Sequence, residues 1–454
     1  MIRVLALVAL FGLTGLTNAD AQPVAKTKAP KAASLPGLET WTLGNGLDVA
    51  FLPMAKAPSV TVQVWYRVGS KEESKNRHGS AHMFEHMMFK GTEHVRPEEH
   101  ARYLSELGGY VNAFTTEDVT AYHNTLPAQY LDFAIKLEAE RMRNLWFRKE
   151  MIETERQVVK EEIRQQENSP IYAGFLRFLE LSYNVHPYSW TAGGALADLD
   201  ATSVEDLKKF YDQYYIPNNA LLVVVGNTSA DAVRVSAQKW FGGIAKGAEP
   251  ARLSANKVEP VQTKVRRETV KGAQIGILMR GYHIPEAKHA DMHAIQVLAR
   301  ILSGGESSRL YEKIVRKDKL ALQAGGQLLL REHPGMMMVF AAFLDASKQA
   351  KLETGLSGEF TRLRTSLVTA KELKKAKNQM MSEFVFGLES VTGIASQIGF
   401  SWINRGSAKF FLGDLDAFDK VSAADIKRVA NLYFKDEQAS IVVVPPVQPG
   451  AKAP

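Results

Sequence analysis

The segment GSAHMFEHMMFKGT, residues 79 to 92, places His82 and His86 four apart with Glu85 between them. Its apolar spacing predicts a helix, on which the two imidazoles lie one turn apart on one face and can converge on a single ion. Glu85 stands beside them, three residues from His82. The order is H-x-x-E-H, the reverse of H-E-x-x-H, and suits metal-assisted hydrolysis in which the carboxylate moves the proton. Two surface histidines on an ordinary amphipathic helix are the bland alternative.

A hydrolytic zinc site needs three protein ligands and one open position, so a third ligand must come from elsewhere. The chain has no cysteine, which restricts that ligand to His or a carboxylate and removes disulfides and thiolate nucleophiles. The stretch EMIETERQVVKEEIRQQEN, residues 150 to 168, reads as a helix with Glu155 and Glu162 seven apart on one face. Between them Val158 and Val159 offer an apolar pair that could dock this helix against the histidine helix. Spacing alone favours a solvated acidic face over a ligand at Glu162.

These segments sit in a chain of 454 residues, 45% hydrophobic and 23% charged, with net charge +7. Single cores stop growing near ~250–300 residues, so two domains are expected. The modest charge, with no long basic block interleaved with aromatics, argues against nucleic acid as a partner. SVEDLKKFYDQYYIPNNALLVVVGN, beginning at Ser203, matches SAADIKRVANLYFKDEQASIVVVPP, beginning at Ser422, at a constant offset of 219 (203 to 422). Each reads as amphipathic helix, turn and apolar strand. A weaker echo sets Val62 of VTVQVWYRVG against Ile275 of AQIGILMRG, an offset near 213.

An internal duplication follows. The expected fold class is α+β: two homologous α/β sandwich domains, each a largely antiparallel sheet with helices on one face. The expected domains are 38–244, carrying the histidine motif, and 265–448. Residues 245–264, rich in Pro, Ala, Lys and Ser, read as an exposed connection. Residues 1–21 carry one cation at Arg3, an apolar run from Val4 to Leu16 and the small-x-small end Ala19-Asp20-Ala21, which fits a secretory signal. That run is short of the ~20 residues a membrane span needs. Residues 22–37 read as a flexible leader, no later segment reads as a span, and an exported chain is expected, periplasmic in a Gram-negative organism.

His82-x-x-Glu85-His86, followed 76 residues on (86 to 162) by Glu162 within ERQVVKEE, closely resembles the pitrilysin/insulinase (M16) family of zinc metallopeptidases, which includes mitochondrial processing peptidase. The likeness continues through GGYVNAFTTEDVTAYHNTLP from Gly108, HPYSWTAGG from His186, YYIPNNALLVVVGN from Tyr214 and GGESSRLYEKIV from Gly304. It implies that His82, His86 and Glu162 bind one zinc ion per chain, that Glu85 is the general base and that Glu155 supports the site. It also implies that Asn112, Ala113 and Phe114 lie on an edge strand that pairs with extended peptide substrate.

Family members usually supply, from the second half, an Arg and a Tyr seven residues later to hold substrate carbonyls. Arg316 fits the Arg, but Gln323 stands seven residues on, with Leu322 beside it and no tyrosine near. The second half has no H-x-x-E-H either. Some relatives divide the zinc site and the Arg/Tyr pair between two subunits. The resemblance therefore implies a zinc endopeptidase subunit completed by a homologous partner in a heterodimer, with a homodimer as the next expectation. A catalytically weak peptide-binding or scaffold subunit is the alternative function. A structural zinc site is disfavoured, because such sites are closed by four protein ligands.

Overall fold

The computed structural model describes residues 37–253 and 258–447. The expected signal and leader, apart from Gly37, lie outside the described residues. Among those described, no helix is long and apolar enough to cross a membrane.

The first sheet has six strands in the order β1 (Glu39–Thr42), β2 (Asp48–Pro53), β6 (Ala220–Gly226), β3 (Ser59–Tyr66), β5 (Thr120–Pro127), β4 (Tyr110–Thr115). The second has five, in the order β7 (Arg266–Thr269), β11 (Ser440–Val444), β8 (Gly276–Ile284), β10 (Gly335–Phe343), β9 (Gln323–Leu329). The two repeat each other. In each, one inner strand returns from the end of the half to lie parallel to one neighbour and antiparallel to a long central strand: β6 between β2 and β3, β11 between β7 and β8. The helices before β6 and β11, α7 (Val204–Tyr214) and α14 (Ala423–Tyr433), both open with a capping box, Ser203 with Asp206 and Ser422 with Asp425.

Register corrects one detail of the duplication. Val62 pairs with Val224, and the position 219 residues after Val224, Val443, pairs with Leu278. Val62 therefore corresponds to Leu278, three residues beyond the Ile275 that the sequence pattern suggests. Ile275 is an exposed residue before β8.

Strands with one wet face alternate polar and apolar residues, but β6 is buried at all its positions, as is β11. Both faces of each sheet must therefore be covered. One face carries helices of its own half, with cores around Val62, Phe84 and Val224 and around Leu278, Leu298 and Val443. The other face takes a helix from the opposite half. Helix α5 (Pro170–Ser182) packs on β11, β7 and β8 through Phe175, Phe178 and Leu179. Helix α12 (Val391–Arg405) packs on β6 and β3 through Ile394, Ile398 and Trp402.

Glycine permits the close approach of α12. A Cβ on Gly399 would stand 2.0 Å from Cε2 of the fully buried Trp65. The halves are also joined by a buried ion cluster. The Lys71 ammonium meets Glu72 at 2.8 Å, Glu332 at 3.0 Å and Asp118 at 3.2 Å, bridging the β4–β5 and β9–β10 turns. The connection read as exposed is partly buried. Glu259 accepts the backbone N–H groups of Asn184, Val185 and His186, and the Gln262 amide donates to the Ala439 carbonyl.

Candidate metal centre

The histidine motif forms α1 (Ser80–Met87), of which every residue except the partly exposed His86 is buried, His82 and Glu85 included. Its N-terminus is set by Gly79, whose φ of +100° suits glycine. Gly194, the last residue of the HPYSWTAGG segment, presses on it: a Cβ there would lie 2.4 Å from the Gly79 Cα. The first turn of α1 leaves amide groups without intrahelical partners. Glu73 accepts two of them, from Gly79 at 3.0 Å and Ala81 at 2.9 Å. Burial pushes the Glu73 carboxyl well up despite these two bonds.

Glu155 and Glu162 lie on α4 (Lys149–Glu167), which packs against α1. Ile152, Val159 and Ile163 are its buried apolar residues, seven and then four apart and so on one face. Of the valine pair expected to dock this helix, Val159 is buried and Val158 is exposed. Lys160 fixes the far side through Asp200 at 2.6 Å, and Arg156 donates to the Thr202 carbonyl at 2.8 Å.

This packing brings His82, His86 and Glu162 together, with one ligand atom of each within 4.8 Å of the others. His82 Nε2 lies 3.6 Å from Glu162 Oε2, and His86 Nε2 lies 3.7 Å from Glu162 Oε1. The other ring nitrogen of His86, Nδ1, is 3.3 Å from Glu155 Oε2. A carboxylate on Nδ1 fixes the ring and leaves Nε2 as the lone-pair donor, which is the usual support for a metal-ligating histidine. Two imidazoles and one carboxylate from two helices fit a zinc ion with an open coordination position.

Two features lay outside the sequence reading. Glu155 is held in turn by Lys90, Nζ to Oε1 2.9 Å, and Lys90 also pairs with Glu98. Burial pushes the Glu155 carboxyl up, but hydrogen bonds and charge from His86 and Lys90 prevail and hold it below the usual carboxylate range. Thr115 Oγ1 donates to Glu85 Oε2 at 2.8 Å, orienting that buried carboxylate from β4. A lone lysine or threonine in a mixed segment carries no spacing signal. Lys90, one turn past His86, was the more accessible of the two.

Asn112, Ala113 and Phe114 lie on β4, which ends the first sheet, so its outer edge bears no strand among the described residues. Ala113 faces the α1 side, where it is buried in the first core, while Phe114 packs into the cluster on the opposite face. Arg316 lies on a π-helical segment (Tyr311–Lys317), and its guanidinium is engaged by Glu312 at 2.8 Å and Glu306 at 3.0 Å. Gln323 opens β9, the edge strand of the second sheet.

The sequence model of Insulinase (Peptidase family M16) matches residues 49–185, and that of the Peptidase M16 inactive domain matches residues 201–380. The chain is 32% identical to the zinc protease PqqE of Helicobacter pylori over 91% of its own length and 94% of the relative's. A crystal structure of a protease from Helicobacter pylori superposes with a TM-score of 0.87 at 32% identity, covering 91% of this chain and 100% of that one. The periplasmic protease PqqL of Escherichia coli shares the fold, with a TM-score of 0.75 at 18% identity. That match covers 92% of this chain and 48% of PqqL. With four of the five stretches that carry the sequence resemblance, Glu162 included, inside these two matches, and with relatives aligned across nearly the whole fold, the chain belongs to peptidase family M16, the insulinase family of zinc metallopeptidases.

Proposed function

We propose that this chain is a zinc-dependent endopeptidase acting on peptides or unfolded segments, with His82, His86 and Glu162 as the zinc ligands. The convergence of those three side chains, with Glu155 behind His86, carries the proposal. The match named for an inactive domain covers residues 201–380 and so includes none of them.

Zinc held by these residues supplies a Lewis acid that polarises the scissile carbonyl and acidifies a water. Glu85 takes the proton of the attacking water and delivers it to the leaving amine. Thr115 donates to one oxygen of Glu85 and so orients the carboxylate that moves that proton. Glu155, charged and tethered by Lys90, orients His86 and favours the tautomer with Nε2 free. Along β4, main-chain groups of Asn112, Ala113 and Phe114 pair with an extended peptide, which excludes folded substrates.

The site is completed by a homologous partner subunit in a heterodimer. Arg316 is occupied by Glu306 and Glu312, and Gln323 replaces the phenol that relatives aim at the developing oxyanion. This chain matches 48% of PqqL, and the first half of PqqL alone matches it with a TM-score of 0.75, so PqqL carries further chain beside one such unit. The signal-like residues 1–21 direct the chain to export, which in a Gram-negative organism means the periplasm. The test is a quenched-fluorescence peptide assay with Glu85→Gln. That variant is expected to retain zinc and lose at least a hundredfold in turnover, whereas normal cleavage would remove Glu85 as the base.

A further inference from the structure

We propose that Phe400, on the second-half helix α12, forms with Phe114 an aromatic shelf that selects alternate side chains of the bound peptide. This rests on the endopeptidase reading and on substrate pairing along β4.

Side chains alternate across a strand, and β4 divides accordingly. Thr115 reaches Glu85 on the α1 side, and Ala113 is buried there. Phe114 points to the opposite face, with its register partner Ala121 and with His123, the partner of Asn112. Helix α12 crosses that face. Its seat is fixed by Gly399 on the indole of Trp65 and by Thr392, whose carbonyl accepts from Gln63 at 3.3 Å and whose hydroxyl meets the Thr125 hydroxyl at 3.0 Å.

The residue after Gly399 is thereby placed against the edge strand. Phe400 stacks on Phe114 with ring centroids 5.6 Å apart and an interplanar angle of 23°. It also meets Trp65 edge-on at 4.9 Å, and Trp65 in turn meets Phe114 edge-on at 5.4 Å. Phe400 remains 40% exposed and Phe114 is half-buried, so the pair is open beside an edge that bears no strand among the described residues.

A peptide strand added to β4 continues the pleat. One set of its side chains faces Glu85, and the other set faces Phe114 and Phe400. Directly opposed Cβ atoms in a sheet lie ~4.5–5.5 Å apart, within reach of both rings. The shelf therefore favours large apolar or aromatic side chains at every second position on that face, where aromatic contact adds to area burial. Selection of this kind uses a residue of the half that lacks the zinc ligands, supplied in cis.

The test is a positional library of quenched-fluorescence peptides cleaved by the full chain with zinc, and with its partner subunit if the chain needs one. The wild type is expected to prefer Phe or Leu over Ala at alternating positions near the cleavage site. In Phe400→Ala the ratio of kcat/KM for Phe over Ala at those positions falls about tenfold, and Phe400→Leu restores the preference for Leu. Leu432→Ala, an exposed site on α14, keeps the wild-type ratio. An unchanged ratio in a Phe400→Ala protein that melts like wild type overturns the shelf, as does an equal loss for every peptide. If the wild type cleaves nothing, the endopeptidase reading fails. Anisotropy titration of the same labelled peptides then decides the shelf separately, with Phe-over-Ala preference in wild type and its loss in Phe400→Ala supporting it and equal binding rejecting it.

Discussion

Substituting Gly399 by alanine tests whether the second half's helix truly rests on the first sheet. The added Cβ would lie 2.0, 2.3 and 2.4 Å from Cε2, Cδ2 and Cζ2 of Trp65. Ordinary contact begins at 3.4 Å, so helix or ring must give by more than an ångström. The ring cannot yield cheaply: it is fully buried, and its Nε1 donates to Gln63 Oε1 at 2.9 Å. Overpacking of this kind costs about 3 kcal/mol, and replacing a mid-helix glycine by alanine returns about 1 kcal/mol of helix propensity. The net expectation is a loss of about 2 kcal/mol. Gly174 on α5 is the matching control. There the new atom meets the Val444 Cγ2 tip at 2.5 Å and the Met279 Cε at 3.2 Å, methyl groups that shift more easily than an indole. Gly174→Ala should stay within about 1 kcal/mol of wild type. Urea unfolding followed by circular dichroism measures both. A Gly399→Ala protein as stable as wild type, or more so, would mean that α12 does not sit on Trp65, and the shelf built on that seat would go with it.

Glu155→Gln removes the charge behind His86 and should weaken zinc binding about 10- to 100-fold in a chelator competition assay, and wild-type affinity would show that Glu155 does not support the ligand. His123, buried under Trp65 and Phe114, has its pKa pushed down to about 4 by burial and then by the Arg141 charge. Between pH 6.5 and 4 the unfolded chain binds a proton that the folded chain refuses, so this contribution to stability is complete above pH 6.5 and is lost as the pH falls. His123→Phe keeps an aromatic ring and removes that loss, about 2 kcal/mol at pH 5. Its melting temperature should fall less than wild type's between pH 7 and 5, whereas parallel curves would contradict the assignment.

The histidine motif was legible because one helical turn brings residues four apart into register, and the same period placed Glu155 and Glu162 on one face of α4. The duplication was legible for the same reason, since a capped amphipathic helix followed by a wholly apolar strand recurs at a fixed offset. What covers the second face of each sheet was not. The apolar residues of α5 and α12 announce a buried face, but periodicity says nothing about which half buries it. The three-residue error at Ile275 has a similar origin, because a run apolar on both faces offers several registers and only strand pairing selects among them. The connection read as exposed by composition holds Glu259, whose burial follows from three backbone amides it accepts across the fold.

The most direct test of the zinc centre is equilibrium dialysis with Zn²⁺ on wild type, Glu85→Gln and Glu162→Gln. The Glu162 side chain is 31% exposed, so the amide is accommodated without disturbing the helix packing. Wild type and Glu85→Gln should each retain one zinc ion per chain, and Glu162→Gln should bind at least about a hundredfold more weakly, because a three-ligand site has lost its only anionic donor. Glu162→Gln retaining zinc at wild-type affinity would contradict the account, because the ion would then be held by other residues.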